Sequence, residues 1–314
     1  MRVTYCIGVP PTRPPALVIP GDFDGVHRGH LAALHRAAEI ARSERLPLVV
    51  ALLWPGPGER DGAQEACLSL LGERIKLLRA TGLVDETLVI SHAPDTGPVT
   101  TEEALDRIAE WYDLRTLLLA QDVDQLAIQD SLAQGAVEHG WRVTPLEHSP
   151  ESERITTGSV REALTRGDVA HVAALLGRPY AVAGLVVGGD RRGRLLGFPT
   201  ANLRIDQRKA LPADGIYATR ARLPGETEAQ RPSVVSLGVR PQFGSGKPRL
   251  VEVYLMDASL DLYGEPLLVE FVARLRGEER FASVEALQEQ MARDVADARR
   301  ALTGDERGRQ VSSR

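Results

Sequence analysis

The amino-acid sequence predicts an α/β domain built on a doubly wound parallel sheet, followed by a small antiparallel β-barrel with a C-terminal helix. Three observations carry this. Up to residue 177, short apolar runs alternate with helical patterns, as in a parallel sheet with crossover helices. Beyond 180, short alternating strands are broken by Gly and Pro, as in a small barrel. At the end, Val284, Leu287, Met291, Val295, Ala298 and Leu302 form one apolar stripe at helical spacing.

Composition agrees with two sizeable cores. The chain has 314 residues, 43% hydrophobic and 26% charged. A net charge of −5 argues against a general binder of nucleic acid or of anionic membranes. Cys6 and Cys67 stand far apart, outside any metal-site spacing, and read as reduced structural thiols of a cytoplasmic protein. The first residues lack the apolar core of a signal peptide, and no apolar run reaches membrane-spanning length.

Residues 16–19 form the first buried strand. Gly21-Asp22-Phe23-Asp24-Gly25-Val26-His27-Arg28-Gly29-His30 follows, then a helix with Leu31, Leu34 and Ala38 on one face. Strand, glycine turn and helix build an anion site at a helix N-terminus, where His27 and His30 can meet phosphate oxygens. A helix cap or a metal pair is the plainer reading of two histidines. Further strands are expected at 46–53, 88–90, 116–119 and 141–144, with helices at 73–81 and 102–112. In Ile155-Thr156-Thr157-Gly158-Ser159-Val160-Arg161, Ser159 and Glu162 form a capping box, and Arg161 is suited to clamp phosphates. Gly177 ends the helices, and the turn Gly177-Arg178-Pro179-Tyr180 marks the boundary between domains 1–177 and 178–303. A polar tail, 304–314, is expected to fray.

The second domain is organised around Gly193-Arg194-Leu195-Leu196-Gly197-Phe198-Pro199-Thr200-Ala201-Asn202-Leu203. Its glycines allow close approach of backbone N–H groups to a ligand, and Arg194 offsets phosphate charge. Thr200 and Asn202 offer hard oxygens for Mg²⁺ or phosphate. A glycine-rich hairpin is the plainer alternative. Leu250-Val251-Glu252-Val253-Tyr254-Leu255 alternates with period two and places a carboxylate in mid-strand, which needs either solvent, an Arg partner or a chemical role.

The 193–203 phrase resembles the signature of the riboflavin kinase family. The whole chain resembles the bacterial bifunctional riboflavin kinase/FMN adenylyltransferase (FAD synthetase) family, closely in the second domain and more patchily in the first. The 21–30 phrase is similar to that family's adenylyltransferase signature. The resemblance implies that Glu252 is the general base for riboflavin phosphorylation. Gly193, Arg194, Gly197, Thr200 and Asn202 would hold ATP phosphates, with Mg²⁺ at Thr200 and Asn202. In the first domain His27, His30, Thr157 and Arg161 would meet ATP. Arg276, Glu278 and Asp24 would be flavin contacts. Riboflavin, FMN and ATP are the implied small-molecule partners. The chain departs from the pattern at Gly56 (His in the family), over 120–126, at Gly158, Ser236 and Gln242, and at Arg280 (Lys in the family). Three readings stay open: both activities; a kinase with an inactive first domain; a flavin or nucleotide binder without turnover.

Overall fold

A computed structural model describes residues 1–8, 10, 12–54, 66–91, 99–120, 126–146, 155–189, 193, 196–223, 230–238, 249–257 and 260–312. The chain divides into two compact units, Met1–Val160 and Arg161–Arg314.

The first unit is a six-stranded sheet of β1 (Arg2–Tyr5), β2 (Pro15–Gly21), β3 (Leu48–Trp54), β4 (Glu86–Ser91), β5 (Asp113–Ala120) and β6 (Arg142–Leu146). The order is β1-β4-β3-β2-β5-β6, and every pairing is parallel. The helices are α1 (Arg28–Glu44), α2 (Leu71–Ala80), α3 (Thr101–Trp111) and α4 (Leu126–Glu138), with α5 (Thr157–Thr165) crossing the division between the units. Strand alternation fills both faces. Leu17, Ile19, Leu48, Val50 and Leu52 pack with Ala33, Leu34 and Ala37 of α1 and Leu78 of α2. Ala16, Val18, Val49, Ala51 and Leu53 point the other way, onto Leu105 and Ile108 of α3 and Leu132 and Ala136 of α4. Both faces are therefore covered, which is why these strands read as continuous apolar runs.

Two elements of this unit are absent from the sequence reading. Edge strand β1 is short and little buried; Glu86 anchors it by accepting hydrogen bonds from Arg2 and from Thr4 Oγ1 (2.6 Å). Helix α4 carries a weak apolar stripe, in which Leu132 and Ala136 are buried.

The second unit closes β7 (Tyr180–Val187), β8 (Thr200–Ile205), β9 (Gly215–Arg222), β10 (Arg231–Gly238), β11 (Leu250–Leu255) and β12 (Pro266–Arg276) into an antiparallel barrel of order β10-β11-β8-β7-β12-β9. Closure leaves no free sheet edge. Short helix α6 (Val169–Leu176) packs on β12 and β7, so it falls with the barrel; the turn at 177–180 that the sequence suggested as the boundary lies beyond it. Helix α7 (Val284–Ser312) lies against β9, β10 and β12, with Ala298 and Leu302 packed among Ala218, Val234 and Met256.

The stretch from 304 on, read from the sequence as a polar tail, is helical as far as Ser312, where α7 ends. Buried Arg220 on β9 holds the turn of α7 at 302–305: it donates to Asp305 and to the carbonyl of Leu302 (3.0 Å). Asp305→Ala removes a carboxylate from a buried guanidinium. We expect it to cost about 1–3 kcal/mol, read by calorimetry as a lower barrel transition.

Candidate active sites

The first site lies at the carboxyl ends of β2 and β5, where the strand order reverses. This is the place where open α/β sheets bind ligands. The chain leaves β2 through a strained turn. Phe23 (φ 51), Gly25 (φ 76) and Val26 (φ 41) all have left-handed backbone. For a bulky ring and a β-branched residue that conformation costs about 1–3 kcal/mol each and needs outside support. The turn delivers His27 as the N-cap of α1; its Nδ1 accepts the His30 N–H at 3.3 Å. That bond needs a bare Nδ1, so the neutral ring carries its proton on Nε2. The two imidazoles are stacked, with centroids 3.7 Å apart.

A second helix N-terminus arrives at the same place. Thr157 opens α5, and its Oγ1 lies 3.4 Å from His27 Nε2. A Cβ at Gly29 would stand 2.3 Å from the Ile155 carbonyl, so the approach requires glycine. Two helix N-termini, two imidazoles and a hydroxyl make a site for negatively charged oxygen. The cap of α5 differs from the expected Ser159/Glu162 box. Thr156 Oγ1 accepts from Ser159 N (3.1 Å), and Ser159 Oγ accepts from Thr156 N (3.0 Å). Glu162 turns outward to Arg166. Arg161 stands one helical turn after Thr157, on the same face of α5.

Asp24 has a different placement from a ligand contact. It is fully buried, and its carboxylate accepts from Leu68 N (2.9 Å), Ser69 N (2.8 Å), Ser69 Oγ (3.0 Å) and Arg74 (2.9 Å). In this structure it ties the turn to the segment before α2. Ser69 and Arg74 are site-supporting residues that the sequence reading missed. The one available signal was a charged residue, Arg74, beside the apolar stripe of Ile75 and Leu78.

The second site is on the barrel. Val251, Val253 and Leu255 are buried, which turns Glu252 and Tyr254 to the opposite face. In register, Glu252 stands directly between Asn202 of β8 and Ser236 of β10, and Tyr254 stands opposite Thr200. Paired residues of this kind have Cβ atoms about 5 Å apart. Thr200, Asn202, Glu252 and Ser236 therefore share one face across three strands.

The glycine turn closes over this row. Leu196 N and Phe198 N both donate to the Gly193 carbonyl (3.1 and 2.8 Å), and Gly197 has φ +84. A Cβ at Gly193 would lie 2.3 Å from the Phe198 carbonyl and 3.2 Å from Thr200 Oγ1; one at Gly189 would lie 2.1 Å from Asn202 Nδ2. The hydroxyl and amide thus pack directly on glycine backbone. Among the described residues no three His, Cys, Asp or Glu side chains gather as a metal site. The oxygens of Thr200 and Asn202, with Glu252 beside them, suit a hard cation such as Mg²⁺ that keeps water and phosphate ligands.

Arg276 is held in a bidentate pair with Asp294 of α7 (2.8 and 2.7 Å), rather than projecting free. Glu278 covers the end of β10, with Oε1 where a Gly238 Cβ would stand. Burial, and behind it the Asp214 carboxylate, push the Glu278 carboxyl above its usual range, against the pull of Arg249. Arg194, Gly56, Gln242 and positions 121–125 of the 120–126 stretch lie outside the described residues.

Fold and sites define the class: a two-domain protein with a candidate anion site at a sheet switch point and a carboxylate–hydroxyl–amide site on a closed barrel. A family model described as riboflavin kinase matches residues 176–302, and one described as FAD synthetase matches residues 10–125. The bifunctional riboflavin kinase/FMN adenylyltransferase of Escherichia coli (strain K12) is 34% identical over 287 residues, covering 89% of this chain and 90% of that protein. That of Pseudomonas fluorescens is 35% identical over 286 residues, with the same coverage. A crystal structure described as a macrolide-efflux protein from Streptococcus pneumoniae has a TM-score of 0.78 at 24% identity, covering 95% of this chain and 99% of that one; it speaks for the fold alone. The chain belongs to the bifunctional riboflavin kinase/FMN adenylyltransferase family.

Proposed function

We propose that this protein makes flavin cofactors in two ATP-dependent steps, phosphorylating riboflavin to FMN on the barrel and adenylylating FMN to FAD on the parallel-sheet domain. The observation that carries the reading is the row of Thr200, Asn202 and Glu252 beneath the Gly193–Gly197 turn. Glu252 takes the proton of the ribityl 5′-hydroxyl as that oxygen bonds to the γ-phosphorus of ATP. The bond from that phosphorus to the β–γ bridging oxygen breaks, and ADP leaves. Gly193, Gly197 and Arg194 hold phosphate oxygens, and Thr200 and Asn202 orient the γ-phosphate and hold Mg²⁺. Bound there, Mg²⁺ neutralises phosphate charge. Arg276 and Glu278 border the flavin end: Glu278 covers the strand that carries Ser236, the neighbour of Glu252.

In the first domain His27, His30, Thr157 and Arg161 bind the triphosphate of a second ATP. An FMN phosphate oxygen bonds to the α-phosphorus, and pyrophosphate leaves, its charge met by the imidazoles and helix N-termini. A cytoplasmic location, where ATP is supplied, suits both steps. None of the described helices is long and apolar enough to cross a membrane.

The test is a product assay with riboflavin, excess ATP and Mg²⁺, resolving riboflavin, FMN and FAD by chromatography. FMN and FAD together are expected. FMN alone would leave the first domain without its reaction, and flavin bound with neither product would overturn the reading. A second expectation concerns the turn. Gly193→Ala meets backbone at Phe198 and displaces Thr200, so FMN formation falls ~10-fold or more, with a lower barrel melting temperature from the backbone shift and FAD formation from supplied FMN retained.

A further inference from the structure

Arg74 is buried, and it belongs to none of the phosphate contacts above. Every arm of its guanidinium is engaged around the strained turn. Nη1 donates to the Asp22 carbonyl (2.9 Å), Nη2 to the Asp24 carboxylate (2.9 Å), and Nε to the Ser69 carbonyl (2.9 Å). Its guanidinium carbon lies over the Trp54 ring, 4.7 Å from the centroid, at the carboxyl end of β3. Ser69 completes the frame, donating to Asp24 and accepting the Gly25 N–H (2.7 Å).

These bonds grip both sides of Phe23. Asp22 is held through its carbonyl, Asp24 through its side chain and Gly25 through its N–H. Phe23, Gly25 and Val26 are the left-handed residues, and Phe23 also packs on His30 at 5.0 Å between centroids. Left-handed backbone at Phe and Val persists only where its surroundings over-determine it. The next residue along is His27.

We propose that Arg74, acting with Asp24 and Ser69, is the positioning group of the adenylyl-transfer site: it holds the 22–26 turn in its strained shape and so sets where His27 and His30 meet the phosphates. This rests on the reading that the first domain transfers AMP to FMN. In this chain a lysine would replace the planar fork, which reaches two carbonyls and a carboxylate at once, by a single ammonium on a flexible stem, and would lose part of that grip.

The test uses the full chain, so that FMN formation on the barrel reports intact protein in the same tube. Variants are Arg74→Lys, Arg74→Met, the double change Arg74→Met/Asp24→Asn, and Ser69→Ala. The last removes one hydroxyl and leaves no buried charge unpaired. With FMN and ATP supplied, kcat for FAD formation should fall ~10–100-fold in Arg74→Lys and in the double variant, because small misplacement of reacting groups carries penalties of that size. KM for FMN should change by less than about threefold, since uniform binding is untouched. Ser69→Ala should lose ~3–10-fold in kcat and lower the melting temperature by a few degrees, because the buried Gly25 N–H loses its acceptor, while the protein stays folded at the assay temperature and FMN formation in the same tube is retained.

A kcat within about twofold of wild type in both Arg74→Lys and Ser69→Ala overturns the proposal. So does a loss no larger than the unfolded fraction seen in a thermal melt, which would make the residue a stability element only. Wild-type protein that forms FMN and no FAD is a different result: it overturns the adenylyl-transfer reading itself, and the positioning role with it.

Discussion

Glu252→Gln is expected to abolish most riboflavin phosphorylation, lowering kcat by ~10²–10⁴-fold, the range that a positioned general base contributes. The substitution keeps size and hydrogen-bonding capacity, so strand β11 and its pairs with Asn202 and Ser236 are retained. It removes the proposed proton acceptor alone. Because the acceptor acts only as the hydroxyl attacks phosphorus, KM for ATP should stay near wild type while kcat and kcat/KM fall together. FAD formation from supplied FMN, carried out on the other unit, should be unchanged. FMN measured by chromatography against time checks this. A variant that keeps more than about a tenth of the wild-type rate would place the base elsewhere on the barrel.

His30→Ala has the opposite signature. It should lower FAD formation by ~10²–10³-fold, the loss seen when one preorganised donor to a developing anion is removed, and leave FMN formation at the wild-type rate. His30 is a cleaner probe than His27. The His27 side chain caps α1 through Nδ1, so its loss also weakens a helix end, whereas His30 contributes only its main-chain N–H to that cap. His30 is stacked on His27 and packs on Phe23, so in the proposed site the two rings would act on one anion together. FMN binding measured directly on the same samples separates failed transfer from failed flavin binding. If FAD formation survives at more than a third of wild type, the anion is met by the helix N-termini and Arg161 without this ring.

Residue pattern by itself determined the class of both domains and the chemistry-bearing phrases. Continuous apolar runs such as 16–19 and 48–53 announce strands buried on both faces, and the alternation in 250–255 announces a strand buried on one. The phrases at 21–30 and 193–203 are local in sequence, so their glycines, histidines and oxygen donors are legible without a fold. Edge strand β1 and helix α4 escaped because their burial is slight, and the extension of α7 escaped because a buried arginine 85 residues away holds it.

Only tertiary structure decided which partners these residues have. Glu252 meets Asn202 and Ser236 through strand register, and register is a long-range property that a one-residue slip would invert. His27 meets Thr157 across 130 residues, and Asp24 turns inward to Arg74 across 50. The same local phrase thus divides into a stacked histidine pair at the start of α1, proposed to meet phosphate, and an aspartate that holds the turn. That division depends on where the segment before α2 places its donors: a buried carboxylate must be satisfied by whatever the fold brings to it.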